Sequence, residues 1–269
     1  MPDEKVLQVE ILIWGCAFCV IAALCIFLSS NYDREKRWYL ILMESFASML
    51  LLMDVMAHIF SGYPGVLGSV MVRISSFLVF LLSDVVLLCF HIYVCVYLFS
   101  KRERRTLKRV KAGYVIAAAG AAFVVISQFT HWYYYIDGDN CYHRAPLYIM
   151  SILLPVAGMF IDLTLLLQYK KRVSRKLLFS MLSCIVLPAV AAAVQAFWYG
   201  ISLIDFSVGI SMIIMFIVTM TELNQEMYQL ISREGKIKER LEIATILNKC
   251  IAELISGEAV SYTHLRAHE

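Results

Sequence analysis

Seven long apolar runs, separated by shorter polar segments, constrain this chain more than any other feature of its sequence. A helix needs about 20 mostly apolar residues to cross the hydrocarbon core of a bilayer, and each run is long enough to do so. The predicted fold is therefore all-α, a polytopic bundle embedded in a lipid bilayer. We predict seven spans at residues 6–30, 38–60, 67–99, 112–132, 147–168, 177–197 and 203–223.

The composition excludes a soluble globular domain. Of the 269 residues, 61% are hydrophobic, against about 45–50% in soluble domains. Pro155 and Pro188 fall inside predicted spans. They do not oppose these helices, because neighbouring helices in a membrane bundle can satisfy the backbone groups that a proline frees.

Basic residues lie in alternate loops, which predicts the orientation of the chain. The remaining loops, at residues 61–66, 133–146 and 198–202, hold one basic residue, Arg144. By the positive-inside rule the amino terminus is outside and the tail after Leu223 is cytoplasmic. The net charge of +3 reflects this topology and does not indicate a nucleic-acid partner. The basic residues of the loops after spans 1, 3 and 5 are Arg34, Lys36, Arg37, Lys101, Arg102, Arg104, Arg105, Lys108, Arg109, Lys111, Lys170, Lys171, Arg172, Arg175 and Lys176.

Several polar residues lie inside the predicted spans near their outer ends. An ionisable residue in a span costs about 2.5–3.5 kcal/mol on insertion scales, so those present usually face the bundle interior. Asp54 and His58 are four residues apart on span 2 and share a helix face. Arg73 near the start of span 3, Gln195 at the end of span 6 and Asp205 at the start of span 7 lie at the same level. These five residues predict a small, outward-opening ligand pocket.

The pocket hypothesis has an alternative. With Arg73 as the partner of a carboxylate, the pocket would take an anionic or zwitterionic ligand. Arg73 could instead form an internal ion pair with Asp54 or Asp205 that only positions the helices. Asp84 and Asp162 lie deeper, where they either pair with other helices or mark a proton path.

Other chemistry is not indicated by the sequence. No predicted span contains lysine, so a retinal Schiff base has no nucleophile. No cluster has metal-ligand spacing on one helix, and no catalytic arrangement is evident. We therefore expect no enzymatic activity and no cofactor. An isolated histidine such as His91 is expected to pack and hydrogen-bond, and Glu44 is expected to reach the cytoplasmic surface.

The tail after the last span has an apolar repeat of seven residues. Such a repeat favours a helical dimer seam, and this predicts a homodimer formed through a transmitter helix. The alternative is a single helix lying along the membrane surface. The residues of the repeat are Leu223, Leu230, Ile237, Ala244 and Ile251.

The last residues do not continue this period. The string SYTHLRAHE at 261–269 resembles the translation of a sequencing-library adapter. We therefore expect 259–269 to be non-native and the natural protein to continue past Glu258. The predicted organisation is a transmembrane domain at 1–223, a linker helix at 224–258 that begins a further domain, and this short tail.

Three stretches carry a family resemblance. They are MVRISSFLVFLLSDVVLLCFHIYVCVYLF at 71–99, DGDNCYHRAPLYIMSILLP at 137–155 and VQAFWYGISLIDFSVGISMIIMFI at 194–217. They resemble the seven-span membrane sensor region of Firmicutes signalling proteins, in which a GGDEF diguanylate cyclase or a histidine kinase follows in the cytoplasm. The segment LEIATILNKCIAELISGE at 241–258 resembles the opening helix of a GAF-like domain in the cyclase members. The GGDEF residues themselves are absent, so this chain carries no cyclase activity.

This resemblance implies a bacterial plasma-membrane sensor that relays an outer stimulus through span 7 to an output module, with cyclic di-GMP signalling as the expected output. The expected partners are the lipid bilayer, a second copy of the chain and an unidentified small ligand. The alternatives are the sensor region of a histidine kinase, a fragment of a transporter or permease, and a membrane subunit that scaffolds other proteins.

Overall fold

The computed structural model describes residues 2–29, 33–197 and 202–266, with side chains at 5–29, 33–197 and 202–248. Within these residues the protein is all-α apart from one short hairpin, and seven helices are long and apolar enough to cross a membrane. The prediction of a polytopic protein is confirmed. The helices are α1 (Pro2–Leu28), α2 (Arg34–Phe60), α3 (Gly65–Leu98), α4 (Lys101–Thr106), α5 (Lys108–Thr130), α6 (Met150–Gln168), α7 (Arg175–Phe197) and α8 (Leu203–Arg266), with a 3₁₀ turn at Lys170–Arg172 before α7.

The first six spanning helices begin and end within four residues of the predicted spans. Several begin earlier than predicted because they include a polar first turn. At the start of α2, the Asp33 side chain accepts hydrogen bonds from the backbone N–H groups of Glu35 and Lys36. A capped start satisfies donors that have no partner within the helix, and α2 therefore begins four residues before its apolar run.

The buried core of the bundle includes residues from all seven spanning helices. Leu40, Met43, Ala47 and Leu50 of α2 are fully buried there. Large apolar side chains also cover the outside of the bundle, where Phe197 is 95% exposed. Contact with lipid explains this outward apolar surface, since it would be unfavourable in water.

Between α5 and α6 the chain forms an antiparallel hairpin of β1 (Tyr134–Ile136) and β2 (Tyr142–Arg144). Sequence analysis treated these residues only as an outer loop. The hairpin packs on α3, where the Phe80 ring stacks on the Tyr134 ring with centroids 5.3 Å apart. It therefore lies at the end of the bundle that the basic loops predict to be outside, the outer end.

At the opposite, inner end, polar contacts order the basic loops. Arg104 of α4 forms an ion pair with Glu35 at 3.0 Å, and Arg172 pairs with Glu103 at 3.1 Å. Arg172 also donates to the Leu98 backbone oxygen at 2.8 Å. These contacts link the start of α2, α4 and the turn before α7.

The prediction that the Glu44 side chain reaches the cytoplasmic surface is wrong. The side chain does not reach the inner surface, because the residue is 0% exposed and both carboxyl oxygens are buried without a hydrogen-bond partner among the described residues. The surrounding core includes Cys19 and Met43. Burying a carboxyl group without a hydrogen-bond partner lowers the stability of the fold.

The chain divides into two compact units, Met1–Met220 and Thr221–Glu269. In the second unit the helix is exposed over most of its described side chains, and it continues past Glu258 to Arg266. Leu230 is 59% and Ile237 is 65% exposed, and Ala244 is also exposed, whereas Leu223 is buried. The Ile251 side chain lies outside the described residues.

Candidate functional site

The outer half of the first unit contains a cavity of about 410 Å³. All seven spanning helices and the β1–β2 hairpin contribute residues to its lining. Its volume lies within the range of about 300–1,000 Å³ that small-molecule sites occupy. Four of the five predicted pocket residues, Asp54, His58, Gln195 and Asp205, line this cavity together.

The acidic side of the cavity joins α2 to α8. Asp54 and Asp205 are 5% and 6% exposed, and both line the cavity. The His58 Nε2 atom lies 3.5 Å from Asp54 Oδ1 and 3.0 Å from the Ser202 hydroxyl oxygen. The i, i+4 spacing on α2 thus directs Asp54 and His58 to the start of α8.

Two basic residues line the cavity, Lys5 of α1 and Arg144 in β2, and the sequence hypothesis included neither. The Arg144 Nη1 atom donates to the Gln195 backbone oxygen at 3.0 Å, and its guanidinium carbon lies 4.4 Å from the centre of the Tyr148 ring. The Gln195 side-chain oxygen in turn accepts a hydrogen bond from the Ile204 N–H at 2.9 Å. Gln195 therefore links the hairpin arginine to the first turn of α8.

Asp84 and Tyr133 form a third polar part of the lining. A Cβ added at Gly120 of α5 would overlap the Asp84 carboxyl group, so α5 approaches α3 closely at this point. Burial raises the pKa of the Tyr133 phenol, and the Asp84 charge adds to the rise. The phenol is therefore protonated at neutral pH and can donate a hydrogen bond.

Two buried polar atoms in the lining have no hydrogen-bond partner among the described residues, Asp54 Oδ2 and the Tyr133 hydroxyl. Most buried polar atoms in folded proteins do have a partner. Both residues line the cavity, which is the space from which a ligand or water can supply the missing bond. These two atoms are therefore the candidates in the lining for a hydrogen bond to a bound molecule.

Arg73 is the predicted pocket residue that the structure places elsewhere. It is exposed, its Nε lies 3.5 Å from the Ser69 hydroxyl oxygen on its own helix, and it is not part of the cavity lining. On α3 the lining begins one turn further in, at Ser76. The structure therefore does not contain the ion pair of Arg73 with Asp54 or Asp205 that we considered.

Asp162 also lies outside the cavity lining, in a separate buried cluster. Its Oδ1 hydrogen-bonds to Nδ1 of His91, whose Nε2 lies 3.0 Å from the Val110 backbone oxygen. A Cβ at Gly113 would overlap the His91 ring. One histidine thus connects α3, α5 and α6. A packing role accounts for this cluster without a ligand.

Sequence reasoning missed Arg144 and Tyr133 because it assigned no structure to the outer loop. One signal was present: Arg144 is the only basic residue in the loops predicted to be outside. Among the residues with described side chains, no three His, Cys, Asp or Glu residues are grouped in a way that could hold a metal ion.

Seven spanning helices and a small-molecule-sized cavity with several polar groups near one end define a polytopic membrane protein with a candidate ligand site. Comparison of the chain with protein-family models, with curated proteins and with solved structures finds no match.

Proposed function

We propose that the chain is the membrane sensor and transmitter part of a bacterial signal-transduction protein of the plasma membrane. A small ligand enters the cavity from the outer side, and α8 carries the resulting change towards the cytoplasm. The single observation that supports this best is the position of Asp205. It lines the cavity and lies in the first turn of α8, the helix that continues to Arg266.

The physical requirement for such a relay is a helix with two packings between which a ligand discriminates. Asp205 lines the cavity together with Asp54 of α2, and the Ile204 N–H is bonded to Gln195 of α7. A ligand that competes for these groups changes how the start of α8 is held. The change is then passed along α8 as a rotation or a shift in register.

A homodimer would convert this movement into an output. Leu230, Ile237 and Ala244 recur at seven-residue intervals, and all three are exposed in the second unit. An exposed apolar row at this spacing favours a coiled-coil seam with a second copy of the chain. Alternatively, the helix lies along the membrane surface, and the same apolar residues contact lipid instead of a second copy of the chain.

The output that we propose is a diguanylate cyclase of the GGDEF type located beyond this chain, with cyclic di-GMP as the messenger. The support is the resemblance of 241–258 to the helix that opens a GAF-like domain in such proteins. A histidine kinase is the second candidate, because the same kind of sensor region precedes kinases.

A transporter or permease fragment remains the alternative from another class. Buried acidic residues at several depths favour it, since Asp54 and Asp84 line the cavity and Asp162 lies in a separate cluster nearer the inner end. Uptake of a solute into vesicles, abolished by both Asp54→Asn and Asp205→Asn, would support transport and contradict a purely sensory role.

Cysteine cross-linking in native membranes tests the transmitter. Single cysteines at 223–248, in a background without the native cysteines, should cross-link between copies with a period of seven and with maxima at 230 and 237. The exposed polar position Ser232 lies two residues after Leu230, on the opposite face of the helix, so it is the matched control and should cross-link least. Uniform cross-linking, or none, would remove the dimer helix from the proposal.

A further inference from the structure

We propose that the cavity binds a small zwitterion, an amino acid with an apolar side chain, whose carboxylate lies at Arg144 and whose ammonium group lies at Asp54 and Asp205. This inference rests on the proposed sensor function and specifies its ligand. Groups of opposite charge line the same cavity on different elements. Arg144 on the hairpin and Lys5 on α1 are basic, whereas Asp54 on α2, Asp84 on α3 and Asp205 on α8 are acidic.

Gln195 links the two charged ends of the cavity. Arg144 donates to the backbone oxygen of Gln195, and the side chain of Gln195 accepts from the N–H of Ile204, the residue before Asp205. An α-amino acid carries its carboxylate and its ammonium group on one carbon, so a single molecule in the cavity can offer one group to each end.

The chemistry of each end defines what it accepts. A guanidinium has five N–H donors in a plane, which suits a carboxylate. Asp54 Oδ2 is buried without a partner among the described residues, and an ammonium group would supply the missing donor. An anion without an ammonium group would leave this oxygen unpaired and face two acidic residues. A simple cation would gain nothing from Arg144.

The remaining lining indicates the third part of the ligand. Between the charged ends the wall is largely apolar and includes Val79, Phe80, Leu87 and Pro188. Apolar walls with a few placed polar groups are typical of small-molecule sites. They favour an aliphatic or aromatic side chain over a charged one.

Binding to the purified full chain in nanodiscs tests the inference, with L-leucine as the probe. Two analogues remove one charge each: isoamylamine lacks the carboxylate and 4-methylpentanoate lacks the ammonium group. We expect leucine to bind by calorimetry and each analogue to bind about 10- to 100-fold more weakly. Equal binding of leucine and either analogue, or no binding of leucine and of L-phenylalanine, would overturn the inference.

Charge-removing variants assign the two ends. Arg144→Gln should weaken leucine binding and leave isoamylamine binding unchanged, whereas Asp205→Asn should weaken leucine binding and leave 4-methylpentanoate binding unchanged. Arg73→Gln is the matched control, because Arg73 lies outside the lining, and it should bind leucine normally. If Arg144→Gln does not fold, Arg144→Lys keeps the charge and should retain most of the affinity. Loss of leucine binding in the Arg73 variant would contradict the assignment.

The two proposals fail separately. If neither leucine nor phenylalanine binds but cysteines at 230 and 237 cross-link with the expected period, the zwitterion is wrong and the transmitter is retained. If leucine binds and the period is absent, the site is retained and the relay through a dimer is wrong.

Discussion

The side-chain amide of Asn140 donates hydrogen bonds to the backbone oxygens of Tyr63 and Gly65, at 2.9 and 3.3 Å. The Asn140 backbone oxygen also accepts from the Gly62 N–H at 3.0 Å. These bonds join the turn of the β1–β2 hairpin to the loop between α2 and α3. Because the hairpin carries Arg144, Asn140 helps to position one of the two basic groups of the cavity.

Asn140→Gly should loosen the hairpin. Asn140 has a φ of 59°, which glycine adopts without strain, so this change removes the amide bonds and leaves the backbone conformation accessible. Two lost hydrogen bonds, at about 0.5–1.5 kcal/mol each, should increase hydrogen exchange of the backbone amides at 134–144 several-fold. Asp139→Ala in the same exposed turn is the control and should leave the exchange unchanged. Equal exchange in the wild type and the Asn140 variant would contradict this role.

Acid should loosen the same hairpin through Asp137. The N–H of Cys141 and the His143 side chain, which lies 2.7 Å from Asp137 Oδ2, hold the pKa of this carboxyl group below its usual range. A carboxyl group with a lowered pKa stabilises the fold fully above its unfolded pKa, about 3.9, and this stabilisation is lost as the pH falls through the folded pKa. A spin label at Gly138 should be equally mobile from pH 8 to about pH 5 and more mobile below about pH 4.

Asp137→Asn should make that spin label mobile at every pH, whereas Asp139→Asn should preserve the wild-type profile. A transition that persists in the Asp137 variant would assign the pH dependence to another group.

Gly113→Ala should destabilise the bundle because its Cβ would overlap the His91 ring. Overpacking of this kind costs about 1–3 kcal/mol, and the thermal midpoint in detergent should fall by several degrees. In a His91→Ala background the space is open, so adding Gly113→Ala should cost much less. Additive losses in this double-mutant cycle would show that the ring and the glycine are not coupled.

Glu44→Met should stabilise the protein. Methionine has a similar shape, and the change removes two buried oxygens that have no partner among the described residues. Leaving such groups unsatisfied costs about 1–3 kcal/mol, so the thermal midpoint should rise. Glu35→Met on the same helix is the control and should give no gain, because Glu35 pairs with Arg104. A lower midpoint for the Glu44 variant would show that the carboxyl group has a bonding partner.

The spans were predictable because an apolar run of about 20 residues has few other stable structures. The hairpin was not, since Tyr134–Ile136 and Tyr142–Arg144 are too short for an alternating pattern to be visible. Its position depends on the stacking of Tyr134 on Phe80 of α3, a contact between residues far apart in sequence.

The candidate site was predictable only in part, for a related reason. Spacing along one helix placed Asp54 and His58 on a common face, and the structure brings both to the cavity. Helical spacing does not show which residues of that face line a cavity, because this depends on how neighbouring elements pack against the helix. Arg73 therefore lies beyond the lining, and Arg144 and Lys5 supply the basic groups in the cavity. Burial of Glu44 likewise depends on the packing of α1 against α2.

The pairing of His91 with Asp162 has a consequence for the biosynthesis of the protein. The two residues are 71 positions apart, so α3 leaves the ribosome well before its partner on α6 exists. At about 5–20 residues per second, this interval is roughly 4–14 s. During this interval His91 lies in α3 without Asp162 as a hydrogen-bond partner, because α6 has not yet been synthesised. The strong hydropathy and 34-residue length of α3 allow the helix to tolerate this side chain, and they commit the helix to the bilayer before the bundle assembles around it.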